Sequence, residues 1–153
     1  STYQNRYRLM WNETVYEPGE VKVVAYDDNG NAVAEESIKT AGKPHHLVVT
    51  PNRESLKADG DDLVYFTVQV ADKNGNIVPT DDRLVKFKVD GAGAFEATAN
   101  GDPTCLLPFQ NPEVKLFSGA ATAIARSGKT PGTLRFRVTA KGVAPAEVEI
   151  PVR

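Results

Sequence analysis

The chain has 153 residues, enough for one ordinary domain or two small ones, and its 41% hydrophobic content supplies at least one of them with a core. Charged residues make up 25% and the formal net charge is -2, so there is no basic field of the kind that draws proteins onto nucleic acid or anionic lipid, and neither partner is expected. A single cysteine, Cys105, excludes an internal disulfide framework and any multi-cysteine metal site. No run approaches the roughly 20 apolar residues that span a bilayer, so no membrane anchor is expected.

In chain order, the polar opening Ser1-Thr2-Tyr3-Gln4 reads as the start of a fragment or processed piece of something longer. Strands are predicted at residues 7–11, 20–26 and 32–40. Glu17-Pro18-Gly19 is a turn signal, and Val21, Val23 and Ala25 alternate with Lys22, Val24 and Tyr26 at the period of a sheet. Asp27-Asp28-Asn29-Gly30-Asn31 closes the hairpin, and Asp72-Lys73-Asn74-Gly75-Asn76 repeats it later in the chain. Asn-Gly accepts the positive φ of a tight type I′ turn, so both segments are expected to be hairpins of that type. About 40 residues rarely bury enough surface to fold unaided, so the first region needs a neighbour.

Ala41-Gly42-Lys43-Pro44 has linker composition and places a boundary between residues 1–44 and 45–153. A second β region then opens at His46-Leu47-Val48-Val49-Thr50-Pro51. Over residues 63–70, Val64, Phe66, Val68 and Val70 share one face of a half-buried strand. Further strands are predicted at residues 84–89, 94–98, 120–125, 133–140 and 146–152. With no helical period anywhere, the expectation is an all-β fold: an immunoglobulin-like β-sandwich preceded by a small, truncated β module. Pro103, Pro108 and Pro112 interrupt residues 100–118, which read as a long loop and the first place to look for a functional surface.

Candidate chemistry is sparse. Neither Asp-rich turn is a calcium loop, because the twelfth positions are Arg83 and Ile38 where a bidentate Glu is required. Asp59, Asp61 and Asp62, with Asp81 and Asp82, suit turn chemistry better than a cation cage. His45 and His46 are expected to point to opposite faces of a strand and so to chelate poorly. Cys105 reads as a small buried residue or an idle loop thiol. Gly91-Ala92-Gly93-Ala94 lacks a following helix and reads as a strand-end turn, and the acceptor pattern Asn12-Glu13-Thr14 is common by chance. No catalytic residue, metal site or cofactor is expected. Of the aromatics, Trp11 and Tyr26 are expected to face inward, whereas Tyr16 and Phe109 are expected at the surface, where with Asn100 and Asp102 they are the candidate contacts.

The segments at residues 11–26 (WNETVYEPGEVKVVAY), 40–44, 47–51 and 58–63, followed by Asn100-Gly101-Asp102-Pro103 and Phe117-Ser118-Gly119, resemble the C-terminal part of bacterial glycoside hydrolase family 2 enzymes of β-galactosidase type. The resemblance covers nearly the whole chain and implies the back portion of one small β module followed by an immunoglobulin-like module, both downstream of a catalytic barrel. The family's catalytic glutamates sit on that barrel, so none is carried over. The resemblance implies a non-catalytic accessory role, the parent's other domains as partners and a periplasmic or secreted location. A carbohydrate-binding module and an immunoglobulin-like surface spacer are the alternatives.

Overall fold

The computed structural model of the chain describes residues 10–153. Most of the strand expected at residues 7–11 lies outside them, and Met10 and Trp11 are not in a strand. The chain divides into two compact units, residues 1–40 and 41–153.

In the first unit, β1 (Glu20–Tyr26) and β2 (Ala32–Lys39) form an antiparallel ribbon with Val21 opposite Ile38 and Ala25 opposite Ala34. Its open end is tied by the Thr40 N–H to the Gly19 carbonyl at 2.8 Å and by the Gly19 N–H to Thr40 Oγ1 at 3.0 Å. Among the described residues the two-stranded ribbon has no second layer to cover either face, and no residue between 10 and 40 is buried. The inward orientation expected of Trp11 and Tyr26 is therefore wrong: each is 64% exposed.

The two Asp-x-Asn-Gly-Asn turns are built alike, but not as type I′. Gly30 and Gly75 have positive φ (81° and 87°), whereas Asn29 and Asn74 do not. In each, the glycine N–H donates to the first Asp carbonyl (3.0 and 3.1 Å), a type I turn followed by a left-handed glycine. The first Asp organises the loop, its Oδ1 accepting the N–H groups two and four residues on, at 2.8 to 2.9 Å in both copies. The conformation expected there occurs instead at Ser118-Gly119, where both residues have positive φ and Phe117 and Ala120 exchange backbone hydrogen bonds.

The second unit is an immunoglobulin-like sandwich of two four-stranded antiparallel sheets. One is ordered β3 (Pro44–Pro51), β4 (Leu63–Asp72), β8 (Ala120–Ser127), β6 (Gly93–Ala99). The other is β10 (Ala146–Val152), β9 (Gly132–Ala140), β5 (Leu84–Gly91), β7 (Glu113–Lys115). Val64, Phe66, Val68 and Val70 face inward from β4 as their alternation predicts, and Leu134, Phe136 and Val138 answer from β9. Ala121, Ala123 and Ala125 keep the inner face of β8 shallow, leaving room for rings. Phe66 and Phe136 stack across the sheets with centroids 4.0 Å apart and planes within 10°, and Phe87 lies 5.8 Å from Phe136.

Two local features were not expected or only partly so. Strand β7 sits within the proline-rich segment, and it is a three-residue edge strand placed just after Pro112, where the missing N–H costs no ladder bond. The turn at residues 91–94 carries the chain from one sheet to the other, and a Cβ at Gly91 (φ 85°) would run into the Thr133 carbonyl oxygen.

Truncating the ring that joins both aromatic contacts leaves a cavity between the sheets. Phe136→Ala is expected to lower the unfolding free energy of the sandwich by about 3–5 kcal/mol in urea titrations, whereas Tyr65→Ala, on the outer face of β4, costs under about 1 kcal/mol.

Candidate functional site

Residues 100–118 are a built structure rather than a slack connection. The Cys105 N–H donates to the Asp102 carbonyl at 3.1 Å and the Asn111 N–H to the Pro108 carbonyl at 3.0 Å, forming two successive turns. The loop is stitched to the sheets by the Thr98 N–H to the Phe109 carbonyl (2.7 Å) and the Phe87 N–H to the Pro112 carbonyl (2.8 Å). Val114 and Leu116 then plug into the core. Where the segment returns, the Asp81 carboxylate holds Arg83 through two bonds (Oδ1 to Nε 2.7 Å, Oδ2 to Nη2 2.6 Å), and the Asp81 carbonyl accepts from the Gly119 N–H at 3.1 Å.

The loop encloses a cleft of about 360 Å³. Of the residues singled out from the sequence, Asn100, Asp102 and Phe109 line it together, whereas Tyr16 belongs to the first unit, 74% exposed with its hydroxyl 3.2 Å from Thr40 Oγ1. The polar groups of the cleft are largely committed to the loop itself. Asn100 donates from Nδ2 to the Lys115 carbonyl at 2.9 Å and accepts the Asp102 N–H at 3.1 Å. Asp102 Oδ1 accepts from the Thr104 hydroxyl at 2.7 Å and from its N–H at 2.8 Å, and these bonds hold the carboxyl below its ordinary pKa. Asp102 is the one carboxylate lining the cleft, so the cleft does not form the facing pair that glycosidic hydrolysis uses.

The rim is apolar. Leu107 and Phe109 line the cleft, with Phe109 64% exposed, and Leu106, next to Leu107 in the chain and outside the lining, is 96% exposed. The leucines were missed in the sequence, although two consecutive aliphatics between Pro103 and Pro108 are a readable signal once the prolines have ruled out a strand. Cys105 is half-buried against the core.

In the acidic cluster, Asp59 and Asp62 act as caps of their own turn. Asp59 Oδ1 accepts the N–H groups of Asp61 and Asp62 at 2.9 and 2.8 Å, and Asp62 takes Arg53 Nη1 at 2.6 Å and the Lys57 N–H at 2.9 Å. Among the described residues, no three His, Cys, Asp or Glu side chains gather as a metal set. The histidines depart from expectation. The ladder between β3 and β4 shifts register between Pro44 and His46, and with His45 bulged out the two rings meet edge-on, Nδ1 to Nδ1 at 3.1 Å.

Residues 47–149 match the model of glycoside hydrolase family 2 C-terminal domain 5, two-thirds of the chain, and residues 1–34 match that of a domain of unknown function (DUF4982). The chain belongs to the glycoside hydrolase family 2 C-terminal domains. A β-galactosidase of Bacteroides ovatus, BoGH2A, is 39% identical over 135 residues, covering 88% of this chain and 16% of that protein. A β-galactosidase of Thermoanaerobacter pseudethanolicus is 28% identical over 116 residues, covering 76% of this chain and 14% of its own length. The crystal structure of a glycosyl hydrolase family 2 member from Bacteroides cellulosilyticus superposes with TM-score 0.84 at 27% identity, over 92% of this chain and 18% of that one. This C-terminal module thus spans about one-sixth of the length of the curated relatives it matches.

The carboxylates of the module set its behaviour in acid. Asp72 lies far below the ordinary range, chiefly because its Oδ2 accepts the Gly42 N–H at 2.7 Å and then through Asn76; Asp59, Asp62, Asp81 and Asp102 are lowered less. A carboxyl with its folded pKa below its unfolded value contributes stability that is complete above about pH 4–5 and is lost as pH falls through the folded value. Denaturant midpoints are therefore expected to be flat near neutrality and to fall below about pH 4, with the gap between wild type and Asp72→Asn widest at neutral pH and narrowing in acid.

Proposed function

We propose that this chain is a non-catalytic accessory region of a β-galactosidase-like glycoside hydrolase, packing against the parent enzyme through residues 100–118. The apolar rim of Leu106, Leu107 and Phe109 on a hydrogen-bonded loop is the observation that carries the reading. Aliphatic side chains held this far into solvent gain about 1.5–3 kcal/mol each on full burial, and a protein surface can supply that burial. A sugar would need flat rings and free polar groups, whereas the rim offers one aromatic, and Asn100 and the Oδ1 atom of Asp102 are already engaged. That the relatives are about six times longer than the matched region gives the rim other domains to meet. The parent acts on a β-galactoside and is periplasmic or secreted in this reading.

The purified 153-residue chain is expected to leave nitrophenyl β-galactoside intact and to pass unretarded through polysaccharide affinity gels. In the full-length polypeptide, Leu106→Asp combined with Phe109→Ser is expected to lower the thermal midpoint while leaving that of the isolated chain nearly unchanged. Hydrolysis by the isolated chain would overturn the non-catalytic assignment, and retardation abolished by Phe109→Ala would put carbohydrate binding in place of docking.

A further inference from the structure

The structure assigns a second, unrelated property to the start of the sandwich: the His45–His46 pair is a two-nitrogen chelating site for a borderline divalent transition-metal ion, Cu²⁺ foremost. On a regular strand consecutive side chains diverge, and adjacent histidines cannot share a ligand. Here the register shift between Pro44 and His46 removes that divergence and brings the two Nδ1 atoms to 3.1 Å. Imidazole nitrogens bind such ions at about 2.0–2.1 Å, so two cis ligands stand about 2.9 Å apart at a right angle and about 3.3 Å at a tetrahedral one. The observed separation lies between the two.

In the metal-free chain that approach is a hydrogen bond, with one Nδ1 donating to the other. Metal takes its place when the donor ring moves its proton to Nε2, which presents both Nδ1 lone pairs without net loss of a proton. His45 is exposed and His46 half-buried, so the pair is open to solvent on one side and further coordination positions remain for water. Neutral imidazole pairs favour Cu²⁺ over the other first-row divalent ions and offer little to Ca²⁺ or Mg²⁺, which take oxygen ligands.

His45 and His46 are the only two histidines of the chain, so the measurement is clean provided no polyhistidine tag is present. Titrating the tag-free chain with Cu²⁺ alone, followed by electron paramagnetic resonance, is expected to show one bound ion with splitting from two imidazole nitrogens. His45→Asn and His46→Asn are each expected to weaken binding about tenfold or more, and the double variant to lose the signal while keeping the wild-type circular dichroism spectrum. Binding that is absent, or equal in the wild type and the double variant, would overturn the site and leave the pair as a hydrogen bond only. Single variants that retain full affinity would overturn the chelate.

Discussion

Everything in the second unit depends on one contact between layers. Two sheets, each apolar on a single face, gain stability only by closing on one another, and the closure is made by Phe66 of β4 stacked on Phe136 of β9 at 4.0 Å, with Phe87 of β5 alongside. The alanines on the inner face of β8 are the counterpart, since three larger side chains there would hold the sheets apart. Around this centre the core runs from Leu47 on β3 to Val152 on β10, and it includes Val114 and Leu116 from the proline-rich segment. That last pair links packing to the candidate surface. The loop can project Leu106 and Phe109 because its return strand is nailed into the core behind it.

The first unit shows what happens when that constraint is missing. Its ribbon has the same alternation and a turn with the same hydrogen bonds, yet every side chain from residue 10 to 40 remains at least partly exposed. Turn chemistry and strand pairing can shape a hairpin, but the apolar area that offsets chain entropy has to come from a second layer. Val21, Val23 and Ile38 on the ribbon are exposed apolar residues without such a layer among the described residues of this unit.

How far the residues themselves disclosed this follows from the range of the interactions involved. Strand β4 was legible because its pattern is a local consequence of one face meeting a core. The family was legible for a similar reason, its turn and strand signatures recurring in a fixed order. What was not legible came from pairing. Strand β7 exists because β5 offers it an edge, which three residues after a proline do not announce. The histidines meet because of a bulge, which depends on how β4 and residue 144 register against β3. The Asn-Gly segments departed from type I′ because Asp27 and Asp72 recruit their own loops into a wider turn, a side-chain effect that the dipeptide alone conceals, whereas Ser118-Gly119 takes the tight form. In the candidate cleft, Asn100, Asp102 and Phe109 were found from sequence, but that Asn100 and Asp102 spend most of their polar capacity on the loop is visible only from their partners.

A family 2 C-terminal module with its own core and an apolar rim is suited to act as a rigid appendage of a larger enzyme. That account rests on the sandwich being self-sufficient, with a core closed between its own two sheets. The most direct measurement is the thermal midpoint of residues 41–153 alone, compared with that of the whole chain. The account predicts a single cooperative transition within about 2 °C of the full chain's sandwich transition. A fall of more than about 5 °C, corresponding to roughly 1 kcal/mol for a domain of this size, or loss of cooperativity, would contradict it.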